Sequence, residues 1–276
     1  MKYNHLIASV GMLFLSGLAQ AGGAVPTCYQ AKLLPQGVKT DTEIFVVVDQ
    51  TTMFDNALKQ SIANNVRPFL SANNAFSVIR FSAYTQGQYT EILSAGSLDP
   101  LIEQSARNDI SKPILSKFDQ CMDNQPKLAA QLAGAALKKA FGGSSASISK
   151  SDVIGSLKDI SSRVRQSSAS QKVVLVASDM LENSSVTSFY ANQAVRTIQP
   201  EKELALVEKH GLFGDFAGAR VYVIGAGLLA DDAKTKSVYR SPQTMQALEN
   251  FWKQYFQRSN AQLLEFGQPA LLNAVR

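Results

Sequence analysis

Three stretches of the sequence are apolar without interruption, and each ends in polar residues or glycines. They read "IFVVVD" from Ile44, "VVLVASD" from Val173 and "VYVIGAG" from Val221. A strand buried on both faces lacks polar alternation, as do the central strands of a parallel sheet. The runs therefore predict a sheet that helices cover on both faces.

Segments with helical spacing separate these strands. Apolar residues recur every four positions from Phe54 to Val66, and Ser241 precedes a long amphipathic segment. "FSVIRFSAY" predicts a second strand, and "QGQYTEILSAG" predicts a short antiparallel strand at the sheet edge. Further helices are predicted at residues 114–141 (interrupted near Pro126), 152–166, 184–198 and 201–211, and a last strand is predicted at 262–266. The alternation predicts a doubly wound α/β fold with a mostly parallel central sheet, one antiparallel edge strand and helices on both faces.

The first 21 residues have the pattern of a secretory signal peptide. Lys2 precedes an apolar stretch at residues 6–18, and Ala19-Gln20-Ala21 fits a cleavage site. Thirteen apolar residues are too few for a permanent membrane anchor, and no later run is long enough. We expect an exported protein, periplasmic or secreted, without stable membrane insertion, with an approach segment at 22–42 and a single domain at 43–276.

Charge and histidine content limit the classes of function. Removing the leader lowers the formal charge from +5 to +4 and leaves His210 as the only histidine. A zinc site of several imidazoles is excluded, and any Ser-His-Asp or Cys-His site would need His210, which precedes Gly211 as a helix C-cap residue would. The densest basic cluster (Lys158, Arg163, Arg165 and Lys172) lies among serines rather than aromatics, so no nucleic-acid partner is expected.

The two cysteines, Cys28 and Cys121, are too few for a metal cluster. In an exported protein they predict one disulfide that joins the N-terminal segment to the main domain. We expect this bond to be structural rather than catalytic.

Polar side chains follow the predicted central strands. Asp49 and Thr51 come after the first strand, Asp179 follows the "VVLVAS" strand, and Ser149 or Ser151 precedes a helix. The carboxyl ends of parallel strands meet at one edge of a sheet, so these side chains are expected to converge there. Oxygen ligands of this kind suit a hard cation such as Mg²⁺ or Mn²⁺.

"DQTTM", a later hydroxyl loop and "SDMLEN" together resemble von Willebrand factor A-type domains, whose metal-ion-dependent adhesion site begins with D-x-S-x-S. The order of elements resembles that family from about Asp41 to Phe266. The resemblance implies that Asp49, Thr51, Ser149 or Ser151, and Asp179 hold a divalent cation. It also implies a non-enzymatic module for a protein partner, which we place in a cell-envelope or secretion-related assembly.

The resemblance is incomplete at Met53, which stands where the family has a second hydroxyl. A thioether is a soft ligand that a hard cation does not favour. The sequence therefore predicts either a weakened cation site or one without metal, in which Asp49 caps the next helix and Asp179 bonds nearby loops.

Two enzymatic interpretations fit the sequence less well than a binding module. A Mg²⁺-dependent phosphatase would use Asp49 as nucleophile and Ser82 as the hydroxyl, but Thr51 stands where a second Asp is needed. "GAGLLA" resembles a dinucleotide fingerprint but comes late in the chain and lacks the following helix, so a turn at Gly225 and Gly227 is expected instead. Glu182 is predicted to lie on the rim of the crevice.

Overall fold

In this computed structural model the described residues are 25–29, 38–82, 90–144, 151–191, 194–229 and 241–276. Their strands are β1 Thr42–Asp49, β2 Ala75–Phe81, β3 Thr90–Ser97, β4 Gln171–Ala177, β5 Tyr190–Ala191, β6 Ala194–Val195, β7 Ala219–Ile224 and β8 Ala261–Phe266. Their α-helices are α1 Asn56–Val66, α2 Gln104–Arg107, α3 Lys112–Gly142, α4 Val153–Gln166, α5 Pro200–Lys209 and α6 Pro242–Arg258, and a 3₁₀ turn at Arg67–Phe69 follows α1.

The predicted fold class is confirmed. The main sheet has the strand order β3-β2-β1-β4-β7-β8, and only β3 pairs antiparallel, at one edge. Side chains of β1 alternate between two cores: Phe45 and Val47 pack on the side of α4, α5 and α6, whereas Ile44, Val46 and Val48 pack on the side of α1 and α3. The unbroken apolar run is thus explained by burial on both faces.

Two of the predicted helices differ in the structure. Helix α3 is not interrupted at Pro126 but runs through it. Phe118 and Met122 pack in a small core with Cys28 before the proline, and Ala129 and Ala133 pack on the sheet after it. We attribute the continuity to this packing on both sides, which offsets the lost backbone hydrogen bond.

The helix predicted at residues 184–198 is wrong over the described part of that range. Asn183 and Ser188 form an isolated bridge, and β5 pairs with β6. The Ser184 and Ser188 hydroxyls accept hydrogen bonds from the N–H groups of Val186 and Tyr190. Such local side-chain bonds compete with helical ones, which explains the turn.

The predicted disulfide is present, between Cys28 and Cys121 in α3. The predicted end-of-helix role of His210 is also confirmed, since its N–H bonds the Leu206 and Glu208 carbonyls at the C-cap of α5. Gly225 and Gly227 have φ values of 103° and 74°, which fits the predicted turn out of the sheet. None of the helices within the described ranges combines the length and apolarity that crossing a bilayer requires.

Candidate metal and partner-binding site

Asp49 lies at the carboxyl end of β1 and is fully buried. Its Oδ1 accepts hydrogen bonds from the Thr51 N–H at 2.8 Å and the Thr51 hydroxyl at 2.6 Å. Its Oδ2 accepts the Ser178 hydroxyl at 2.7 Å and the Ser151 hydroxyl at 3.4 Å. The prediction that polar residues from separate loops converge here is therefore confirmed for Asp49, Thr51 and Ser151.

The Thr51 and Ser151 hydroxyls also contact each other, with their oxygens 3.2 Å apart. Thr51 is partly exposed, whereas Ser151 is buried, so Thr51 is the hydroxyl of this pair that reaches the surface. Ser149, the alternative middle ligand, lies outside the described residues. Among the described residues, Ser151 is thus the candidate that reaches Asp49.

Asp179 follows Ser178 in the loop after β4. Its N–H donates to the Thr52 hydroxyl at 3.0 Å, and its Oδ1 accepts the Leu181 N–H at 2.8 Å. The Asp179 carbonyl accepts the Gly227 N–H at 2.8 Å. These bonds fix the Asp179 backbone beside the first motif, and they direct the Thr52 hydroxyl to this loop.

The electrostatics of Asp49 are unusual because its described hydrogen bonds come only from hydroxyls and a backbone N–H. Burial raises the pKa of its carboxyl, and the bonds from Thr51, Ser178 and Ser151 lower that pKa only in part. Among the described residues Asp49 has no cationic partner, which makes its buried carboxylate costly, and a bound cation would relieve that cost.

The donor set fits a hard divalent cation, since it consists of hydroxyl and carboxylate oxygens. The described residues contain no group of three or more His, Cys, Asp or Glu suited to a metal. Any cation site here therefore depends on the hydroxyls of Thr51 and Ser151. Met53 is 49% exposed and offers only a thioether.

Two site expectations are corrected. Asp49 does not cap α1; Asp55 does, by accepting the Leu58 N–H at 2.8 Å. Glu182 is not a rim residue but is fully buried, with its Oε2 accepting the Ile154 N–H at 2.8 Å at the start of α4. Helix α4 begins two residues after Ser151, and its first N–H groups have no partner within the helix, so the Ile154 N–H is free to bond the buried Glu182 side chain.

Sequence reasoning missed Ser178 as a partner of Asp49. The signal was available, because Ser178 ends the second apolar run and Ala177 pairs in register with Val48. A hydroxyl one residue beyond that pair lies beside Asp49 at the sheet edge. Its oxygen also accepts the Met180 N–H at 2.9 Å, so Ser178 connects Asp49 to the Asp179 loop.

Comparison with known proteins found no match: no protein-family model matches the chain, and no curated protein sequence matches it significantly.

Proposed function

We propose that this chain is an exported, von Willebrand factor A-like binding module that holds a protein partner at the strand-end site with the help of Mg²⁺ or Mn²⁺. The leader at residues 1–21 and the Cys28–Cys121 disulfide support export. A cell-envelope or secretion-related assembly is the setting that this export favours.

One observation carries the proposal: Asp49 is a fully buried carboxylate in contact with the hydroxyls of Thr51 and Ser151, which lie 3.2 Å apart, and Thr51 is partly exposed. When bound, a divalent cation would supply positive charge for a carboxylate of the partner. Thr51, Ser151 and the two aspartates would hold the cation, either directly or through water. Ser178 and Thr52 keep the two aspartate-bearing loops in place.

The geometry favours binding over phosphate-ester hydrolysis. A nucleophilic Asp49 would have to reach a phosphorus atom, yet its carboxylate is fully buried and both of its oxygens accept hydrogen bonds. Thr51, where that mechanism needs an acid, donates its hydroxyl to Asp49 instead.

The first prediction concerns Asp49→Asn. We expect the wild-type protein to bind Mg²⁺ or Mn²⁺ saturably, with about 1.4 kcal/mol of added stability at a cation concentration tenfold above Kd. Asparagine keeps one acceptor for Thr51, and serine hydroxyls can accept from its amide, so the fold should persist while cation binding is lost. Calorimetric titration and thermal melts of both proteins measure this. Equal cation binding by wild type and Asp49→Asn would refute the site.

The second prediction uses the exposed Met53. Met53→Ser supplies the hydroxyl that the family pattern has at this position, and we expect Mg²⁺ affinity to rise about fivefold. Met53→Ala is the matched control, because it removes the same thioether without adding a ligand and should leave the affinity unchanged. The two calorimetric titrations are compared directly, and identical affinities would show that residue 53 does not face the cation.

A further inference from the structure

A groove of 490 Å³ lies between α1 and α3, on the opposite side of the sheet from α4. Its lining residues recur at intervals of three or four along both helices, so each helix contributes one face. Ala63, Leu137 and Phe141 form an apolar floor. At Gly134 an added Cβ would meet nothing within 4 Å, so the floor is open beside this glycine.

The charge of the groove is one-sided. Its lining includes Lys59 and Lys138 and no carboxylate. The Lys59 ammonium lies 5.8 Å from the centre of the Phe141 ring, so charge and apolar surface are adjacent. Lys139, the next residue on α3, instead pairs with Glu91 of β3 at 3.4 Å. The groove lysines thus complement a negatively charged ligand with an apolar face.

The groove also lies beside the candidate cation site. Helix α1 begins shortly after Met53, and α3 ends shortly before Ser151. Phe54 and Phe141 join the two segments through an edge contact, with ring centres 5.7 Å apart. A partner bound at Asp49 could therefore place an adjacent segment of its own chain in the groove.

We propose that the α1–α3 groove binds an acidic amphipathic helix of the protein partner. Apolar side chains at helical spacing cover the partly exposed Ala63 and Phe141, and carboxylates on the flanks pair with Lys59 and Lys138. This inference rests on the proposed binding role and adds a second, cation-independent contact to it.

The test uses a labelled synthetic helical peptide with leucine at helical spacing on one face and glutamate elsewhere, and follows fluorescence anisotropy with the full exported chain. We expect saturable binding that weakens with added salt, as it should for exposed charge pairs. The same peptide with lysine in place of glutamate should not bind. Hydrogen exchange should slow in residues 56–63 and 134–142 when the peptide is bound.

Protein variants locate the contact. Gly134→Leu fills the open floor with a residue of higher helix propensity and should weaken binding about tenfold without loss of melting temperature. The double change Lys59→Ala and Lys138→Ala should weaken binding about fivefold. Lys139→Ala is the matched charge control and should leave binding unchanged.

The outcomes separate this inference from the proposed function. Binding that persists in Asp49→Asn and in chelator, but fails in Gly134→Leu, supports the groove even if no cation binds. The inference is overturned if the glutamate peptide does not bind, or if the lysine peptide binds equally well. It is also overturned if Lys139→Ala loses as much peptide affinity as the groove variants. Loss in Asp49→Asn alone would also overturn it, by assigning the peptide to the cation site.

Discussion

Glu182→Gln should make the protein more stable at neutral and alkaline pH and remove much of the fall in stability as pH rises. Burial raises the pKa of Glu182 from 4.5 to about 8, and hydrogen bonds from the Ser184 hydroxyl and the Ile154 N–H offset this only in part. Its Oε1 is buried without a hydrogen-bond partner in the described structure. The folded protein therefore holds a proton that the unfolded chain releases.

The direction of the pH dependence follows from that proton. Below about pH 4.5 the side chain is protonated in both states, so stability is unaffected by its titration. Above that pH the unfolded chain loses the proton first, and stability falls until the folded protein also loses it, near pH 8. The fall amounts to roughly 5 kcal/mol over the whole interval and roughly 3 kcal/mol by pH 7.

Denaturant unfolding of wild type and Glu182→Gln between about pH 4 and pH 9 measures this. The two proteins should have similar unfolding free energies at pH 4. Above pH 4 the glutamine variant should be the more stable of the two, by a margin that grows with pH. Glu203→Gln is the opposite control: Glu203 is also buried, but it pairs with Arg196 at 2.7 Å, so its loss should destabilise. Parallel pH profiles for wild type and Glu182→Gln would refute the raised pKa.

The central sheet was predictable because strands that are buried on both faces appear in the sequence as uninterrupted apolar runs. Ile44 to Val48 alternate between two cores, and a run that must be apolar on both faces shows no polar gaps. The start of α6 was also predictable, since Ser241, which precedes the amphipathic segment, accepts the Thr244 N–H as an N-cap residue does. Both signals are local, so sequence alone carries them.

The errors arose where distant packing outweighs local preference. Pro126 is a helix breaker by itself, but α3 packs against hydrophobic cores both before and after it and continues through the proline. Glutamate is usually a surface residue, so Glu182 was expected to be exposed. It is buried because the Ile154 N–H, at the start of α4 and nearly thirty positions earlier in the chain, donates a hydrogen bond to it. Contacts between segments so far apart leave no pattern at helical or strand spacing.

Part of the candidate site was predictable because apolar strands, which the sequence shows directly, place the residues that follow them. Asp49, Thr51 and Asp179 were found because they follow apolar strands, which fixes their place at the sheet edge. The choice between Ser149 and Ser151 required the loop geometry, and only Ser151 lies within the described chain. Ser178 was missed because a serine beside an aspartate resembles any polar loop residue.

Trp252 should be the aromatic residue on which the Asp179 loop depends. It is fully buried in α6, and its Nε1–H donates to the Met180 carbonyl at 2.9 Å. Met180 follows Asp179 directly and has a φ of 59°, a conformation that non-glycine residues adopt only when contacts hold them there. The indole is one such contact.

Two substitutions separate packing from positioning. Trp252→Ala removes a large buried ring and should cost about 3 to 5 kcal/mol of unfolding free energy. Trp252→Phe keeps most of the ring volume but leaves the Met180 carbonyl without its donor, which should cost about 1 to 3 kcal/mol. Since the loop then loses its anchor, cation affinity in Trp252→Phe should fall about tenfold.

Phe216→Leu is the matched control, because Phe216 is equally buried and its ring contacts Phe256 rather than Trp252. It should lower unfolding free energy by a similar amount and leave cation affinity unchanged. Denaturant unfolding and calorimetric titration of the variants decide the question together. If Trp252→Phe and Phe216→Leu change cation affinity equally, Trp252 contributes only packing, and the Asp179 loop keeps its position without the indole.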